Sequence, residues 1–542
     1  MGRGASVITG LAGALALAAA ACTSEEVAPL GGAGGAGGAG ATGGGLGYAL
    51  PQFVRGAALV NPEAFPAPAI VIRGANAPTQ ATLDGAALAL AAGSASEWLA
   101  AVDATALGVG EHALEVSGPD GAASGTLVVA PGSAVLSSYA EVGAASYTDL
   151  FHDEANDRLL MSWIDTRTEK HARLAKLDGA GRRIPGAADL VLDANATDTV
   201  RLATAFGPGL VGALYHSNKD WNGGPGTKIE LRVLDLDGSE VVAPIELNPN
   251  GPGTLGTQTA VAWDGAAFDA VWADFAGPGM VKKLYWARVE PGSGAVTGPV
   301  EIADGSYDGT NDDANKIQDL QTLALACNAE LCVVGYRRHV YHAVVGLSAP
   351  KVFLALVSTA DGSVSSDAGL FTNDWDIQED ASLSVGVAGD FVLSLAGTDT
   401  AAVLNEPDPC DASGRQKIYH LRLDAAGAVA QPPLHVVNDD PGQRYQATAG
   451  AHPDGAAVLW EDEREKCVDV LTGQNRLAVA FVKDDAPEAA YLALPGSRLV
   501  LESWLSPTPV GPSYAFAWID ERAGGSVLDP RGEVVFDTYW RR

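Results

Sequence analysis

The sequence predicts an all-β chain in which an N-terminal sandwich precedes a seven-bladed β-propeller. Three observations predict it. An apolar run ending in a large aromatic residue, with an acid two positions later, recurs as "WIDTR" (163–167), "WEDER" (460–464) and "WIDER" (518–522). Short alternating runs are punctuated throughout by Asp-Gly, Gly-Pro and similar turn pairs, the signature of hairpins. No long apolar stripe with the 3.6-residue helical period appears after the N-terminus.

The chain opens with a short basic region, residues 1–3, and an Ala/Leu-rich apolar run over 7–21. The triplet Ala19-Ala20-Ala21 then leads into Cys22. The run is too short for a permanent membrane-spanning helix, so residues 1–22 read as a removed targeting segment. The pattern resembles a bacterial lipoprotein signal, which implies that Cys22 is lipidated and becomes the mature N-terminus. The family prefers Leu where this chain has Ala19; the plainer alternative is a secretory signal cut near Ala21. Thr23 rather than Asp follows the cysteine, which by the same resemblance implies the outer membrane.

Residues 23–46 form a tether whose centre reads "GGAGGAGGAGATGGG". With almost no side chain to bury, it cannot pack. Residues 47–131 alternate with period two in "AIVIRGANAPTQATLDGAAL" and "GEHALEVSGPDGAASGTLVVAP". This looks like an immunoglobulin-like β-sandwich, the kind that serves as a stalk.

From residue 132 to 542 the repeat takes over. Around Trp272 the chain reads "TAVAWDGAAFDAVWADFA", two apolar strands about an Asp-Gly turn; around Trp460 it reads "ATAGAHPDGAAVLWEDER". A second hairpin follows each phrase, as in "RVLDLDGSEV", "ARVEPGSGAV", "ALVSTADGSV" and "LRLDAAGAV". Its turn glycines are Gly181, Gly238, Gly294, Gly362, Gly427 and Gly532. Second strands end near Trp163, Tyr215, Trp272, Tyr336, Leu395, Trp460 and Trp518, at intervals of 52 to 65 residues. Seven such four-stranded units describe a propeller, which protects its sheet edges by radial closure. The large residue is expected to fill the wedge between neighbouring blades. The terminal "EVVFDTYW" is expected to close the ring against the first blade.

A net charge of −32, from 34 Lys and Arg against 66 Asp and Glu, argues against nucleic acid as a partner. With Cys22 assigned to lipid, four cysteines remain, an even number suited to an oxidising compartment. Cys327 and Cys332 flank a turn in "CNAELC", and Cys410 and Cys467 lie in corresponding loops of adjacent blades; both pairs are expected as disulfides. Zinc is the weaker reading, because no C-x-x-C spacing is present.

Charges beyond the second strands, Asp165, Arg167, Asp274, Arg337, Asp462, Arg464, Asp520 and Arg522, form a candidate binding face. The competing reading makes them marks of blade architecture, since exposed ion pairs contribute only about 0–1 kcal/mol. Acidic connections such as "DGSYDGTNDDAN" (304–315) offer Asp308, Asp312 and Asp313 as oxygen ligands of the kind calcium prefers. The full calcium-loop pattern is missing, so solvated acidic loops compete with a metal site. No other cofactor is expected.

The layout resembles the propeller lipoproteins of myxobacterial envelopes, whose hairpins read "DGxxFxxVWxD". The resemblance is architectural and carries no catalytic residue across. It implies an outer-membrane lipoprotein presenting a propeller to an envelope protein or glycan. The alternative is a glycosidase-like propeller hydrolase with carboxylates at the channel mouth. "RRIPG" (182–186) resembles the first-arginine motif of sialidases but lies on a third-to-fourth strand turn, and no Asp-box accompanies it. No G-x-S-x-G elbow is present either.

Overall fold

The computed structural model describes residues 57–540 with connecting segments left out, the longest being 136–144, 250–258, 305–319, 368–376, 399–416, 436–446, 463–475, 494–504 and 521–532. The signal segment, Cys22 and the tether lie outside the described residues. Among the described residues the chain is β-structure throughout, apart from a 3₁₀ turn at Glu154–Asn156.

Two sheets come first. One runs in the order Ala57–Val60, Gly121–Val129, Gly110–Gly118, Gln80–Leu83, Ala86–Ala87; the other holds Ala69–Arg73, Glu97–Ala101 and Ala89–Ala92. Strand 57–60 runs parallel to 121–129, while the other pairs are antiparallel. Period-two alternation turns Ile70, Ile72, Leu83, Leu114, Val116 and Leu127 into one shared core. The Asp84-Gly85 turn has both residues at positive φ, 50° and 78°, as the tightest hairpins require.

Among the described residues seven further sheets follow, each a row of four strands in chain order except the last, and the sixth carries one extra short strand. Such four-stranded antiparallel sheets are the building units of a propeller. The first strand of each sheet packs beside the first strand of the next. That of the seventh (Leu505–Val510) also packs beside that of the first (Ala145–Asp153), so the row returns on itself.

The recurring large residue explains how the sheets adhere. Trp163, Tyr215, Trp272, Tyr336, Leu395 and Trp460 are all buried. Tyr215 packs with Leu160, Ile164 and Leu174 of the preceding sheet. Trp272 packs with Leu214, Ile229 and Leu231, and Leu395 with Val333 and Leu354, also one sheet back. An aromatic ring spans this gap with more apolar area than any other side chain.

The second hairpin docks by its turn. Gly238, Gly294, Gly362 and Gly427 all have positive φ. A Cβ on Gly294 would lie 2.7 Å from Val242 Cγ1, and one on Gly427 2.7 Å from Leu356 Cδ2, both on the preceding sheet. The Asp before the glycine holds the turn: Asp235 Oδ1 accepts from the amides of Asp237 (2.9 Å) and Ser239 (2.8 Å), and Asp424 Oδ1 from those of Ala426 and Ala428 (both 2.9 Å). The outer strands carry Pro244 and Pro299 and pair with register shifts, which blunts edges open to other chains.

Closure differs from the sequence-based expectation. Glu533–Trp540 pairs with Ser513–Asp520 and is the third strand of the last sheet, not a strand laid on the first. Its outer neighbour is Ala134–Val135, which pairs with Val535 and Phe536. The expected turn at Gly532 falls in the connection 521–532, outside the described residues, and the strand beyond it is third in its sheet rather than fourth.

Candidate functional site

The second strands end in the repeated carboxylates. Asp165 closes Arg158–Asp165 and is 3% exposed; its Oδ2 lies 3.6 Å from Arg173 Nε on the third strand. Asp274, near the end of Phe268–Ala276, is 4% exposed. Asp462 and Asp520 end their own second strands, opposite Arg476 and Glu533. Arg337 lies opposite Gln321, half-buried. The sheets thus bring the four acids to corresponding strand ends, and they hold at least two inside the sheet rather than on its surface. Arg167, Arg464, Arg522, Asp308, Asp312, Asp313, Cys410 and Cys467 lie outside the described residues.

In the second to seventh sheets the longest connection lies at one end; in the first it is 178–189, between the third and fourth strands. Turns joining first to second strands, and outside the first sheet those joining third to fourth, are short where described, as at Trp263–Phe268 and Leu423–Val429. Connections from second to third strands, and from each sheet to the next, include 305–319, 399–416 and 463–475. Antiparallel order brings both kinds of long connection to the same end of a sheet.

A feature the sequence reading missed sits at that end. Asp193, following the fourth strand of the first sheet, is fully buried and accepts from the amide of Ala172 (2.8 Å) and the hydroxyl of Thr199. Asn248, following the fourth strand of the second, accepts from the amide of Ile229 (2.7 Å) and donates to the Thr227 carbonyl (2.8 Å). Each Asx side chain pins the third strand where it leaves the loop. The signal was an Asp or Asn recurring just after the fourth strand, which reads as loop polarity unless the strands are aligned.

The wedge between the third and fourth sheets is chemically unusual. Cys327 and Cys332 are direct cross-strand partners joined by a disulfide, Cα–Cα 4.0 Å, around the Asn328 turn. Asn328 Oδ1 accepts from the amides of Glu330 (2.9 Å) and Leu331 (2.8 Å). Facing them from the second strand of the third sheet is Asp269, fully buried. Neither of its oxygens completes a hydrogen bond of ordinary geometry among the described residues. Burial, reinforced by the nearby Asp264 carboxylate, pushes its carboxyl up to about 8, with Arg288 and the Trp286 indole opposing. Arg288 itself pairs with Asp264, Nε–Oδ2 2.7 Å, and with Glu290. This surrounding favours the protonated carboxyl over the carboxylate.

No family model and no curated protein matches the chain. Among solved structures it is similar to a protein of unknown function from Dyadobacter fermentans, at 10% identity over 76% of this chain and 98% of that one, TM-score 0.42. It is also similar to the β-propeller domain of the Trilobed protease from Pyrococcus furiosus, at 9% identity over 74% and 95%, TM-score 0.40. A third is the phage phi92 endosialidase, at 8% identity over 76% and 69%, TM-score 0.40. Likenesses this weak carry no functional residue across.

Proposed function

We propose that the chain is an outer-membrane lipoprotein, anchored through Cys22, that presents a seven-bladed propeller as a binding module for an envelope protein or glycan. The strands before it form an immunoglobulin-like stalk: the strand order and the parallel first strand support that reading. The observation that carries the binding role is the asymmetry of connections. In the second to seventh sheets the longest connection, acidic in 305–319 and 399–416, leaves one end while short turns occupy the other, and variable loops on a rigid scaffold are where recognition is built. Asp165 and Asp274 serve this reading as scaffold: buried at strand ends, they fix where the loops depart.

The test uses a Cys22→Ser chain, which should leave the membrane fraction, screened on glycan and envelope-protein arrays. Replacing 305–319 and 399–416 by short Gly/Ser links should abolish any hit while leaving the melting transition in place. Unchanged binding after both replacements would remove the long-connection end from the function. A Cys22→Ser chain that still sediments with membranes would remove the anchor.

A further inference from the structure

Aligning the sheets on their large second-strand residue places Asp269 three positions before Trp272. The same position holds Leu160, Gly212, Val333, Val392, Ala457 and Ala515 in the other six sheets. The pair that closes the first hairpin is likewise ordinary elsewhere, as in Gly207–Leu210, Trp263–Phe268 and Val385–Phe391, but is Cys327–Cys332 in the fourth sheet. The repeat's charged exception and its sulfur exception meet in a single wedge. An oxygen of Asp269 and both Sγ atoms lie within 4.8 Å of one another, and all three residues are buried. Burying a carboxyl without hydrogen bonds costs free energy that any apolar residue at this position would avoid. While the sulfurs are bonded to each other, neither Asp269 oxygen completes a hydrogen bond of ordinary geometry among the described residues, and the Trp286 indole and Arg288 only partly offset its burial.

We infer that, in the reduced chain, Cys327 Sγ, Cys332 Sγ and a carboxylate oxygen of Asp269 form a three-ligand site for a thiophilic divalent cation of the zinc class. The donor set decides the class: two thiolates and one carboxylate suit zinc and its tetrahedral relatives, whereas calcium and magnesium take oxygen alone. A dithiol reductant opens the site. It gives two electrons to the S–S bond and becomes a disulfide, and its two protons end on Cys327 and Cys332. The cation then displaces three protons, two from thiols and one from the carboxyl, leaving a complex of net charge −1 with a fourth position for water. Arg288, the direct cross-strand neighbour of Asp269, lies beside the site with its charge shared between Asp264 and Glu290. Disulfide and metal site are alternative uses of the same sulfurs, selected by the redox state in which the chain folds.

The experiment takes the full chain with Cys22, Cys410 and Cys467 changed to Ser, so that every thiol comes from this pair. After phosphine reduction and anaerobic removal of the phosphine, Co²⁺ alone is titrated in. One equivalent should bind with sulfur-to-cobalt charge-transfer absorption, absent from the oxidised chain and from Cys332→Ser. Asp269→Asn should weaken binding at least tenfold. A reduced chain with two countable thiols and no stoichiometric cobalt uptake overturns the site; an Asp269→Asn chain that binds as tightly overturns the carboxylate ligand. Should the triple variant not melt like the parent, alkylation mapped by mass spectrometry on the natural chain decides instead. Zn²⁺ should slow alkylation of Cys327 and Cys332 after reduction, and not do so in Asp269→Asn; equal rates with and without Zn²⁺ overturn the proposal.

Discussion

The two wedges flanking the third sheet are built on one plan and filled differently. The wedge against the second sheet is packed by Trp272, Phe268, Leu214 and Ile229. His216 lies two residues beyond Leu214 on the same strand face, fully buried, with neither ring nitrogen hydrogen-bonded among the described residues. The wedge against the fourth sheet buries Asp269 beside Trp286 and the disulfide. Each therefore holds one titratable side chain in its uncharged form, a base in the first and an acid in the second. The comparison teaches that the repeat dictates size at these positions more strictly than polarity, provided the polar group can shed its charge.

Acid should separate the wedges most. Burial, with Arg201 nearby, lowers the His216 imidazole to about 3; burial, with Arg422 nearby, lowers His420 to about 4. The unfolded chain protonates both near 6.5, so below that pH it binds protons that the folded chain does not. The histidines' contribution is then complete above pH 6.5 and is lost as pH falls toward 4 and 3, by about 1.4 kcal/mol per pH unit for each group, while Asp269, raised to about 8, acts in the opposite sense as pH falls from 8 toward 3.8. Denaturant midpoints measured from pH 7 to 4 should fall, and His216→Leu should flatten the curve. An unaltered slope in that variant would show that His216 is not held neutral.

Trp272→Ala tests what the shared plan is worth. Removing a fully buried indole should cost about 3–5 kcal/mol by urea denaturation, and a loss below about 1 kcal/mol would mean the sheets do not adhere through it. Gly294→Ala should cost less, about 1–3 kcal/mol, from positive φ and the approach of Val242. Asp269→Leu runs the other way. In the oxidised protein it restores the apolar residue of the other sheets and should stabilise by about 1–3 kcal/mol; a lower melting temperature would reveal a partner for the carboxyl. The smallest effect belongs to Glu301→Gln, which breaks an exposed 2.6 Å pair with Lys283 and should change stability by less than about 1 kcal/mol.

What was legible in the sequence follows from which interactions are local and repeated. The Asp-Gly turns and the large second-strand residues recur with fixed spacing, so they announced the sheets, and the proximity of Cys327 and Cys332 followed from one hairpin. Ala134–Val135 carries no such mark: two small apolar residues acquire their role only by meeting a strand far along the chain. Asp165 and Asp274 read as surface charges because an acid after a strand usually is one; their burial depends on neighbouring strands that spacing does not reveal. Asp269 stands inside the repeat unit, yet its contact with the disulfide crosses between sheets, which a single unit cannot show.

The pairing of Val135 with Val535 and Ala134 with Phe536 also sets an order of events in time. Loop closure over so long a separation is slow compared with forming any single hairpin. Six sheets can assemble from adjacent chain as it emerges, but the seventh must wait for both ends to be present. During that interval Glu533–Trp540 offers an unpaired edge to any neighbouring chain. Crowding many copies together should therefore harm refolding far more than it harms the finished molecule, and a supplied peptide matching residues 130–138 would compete for the same edge.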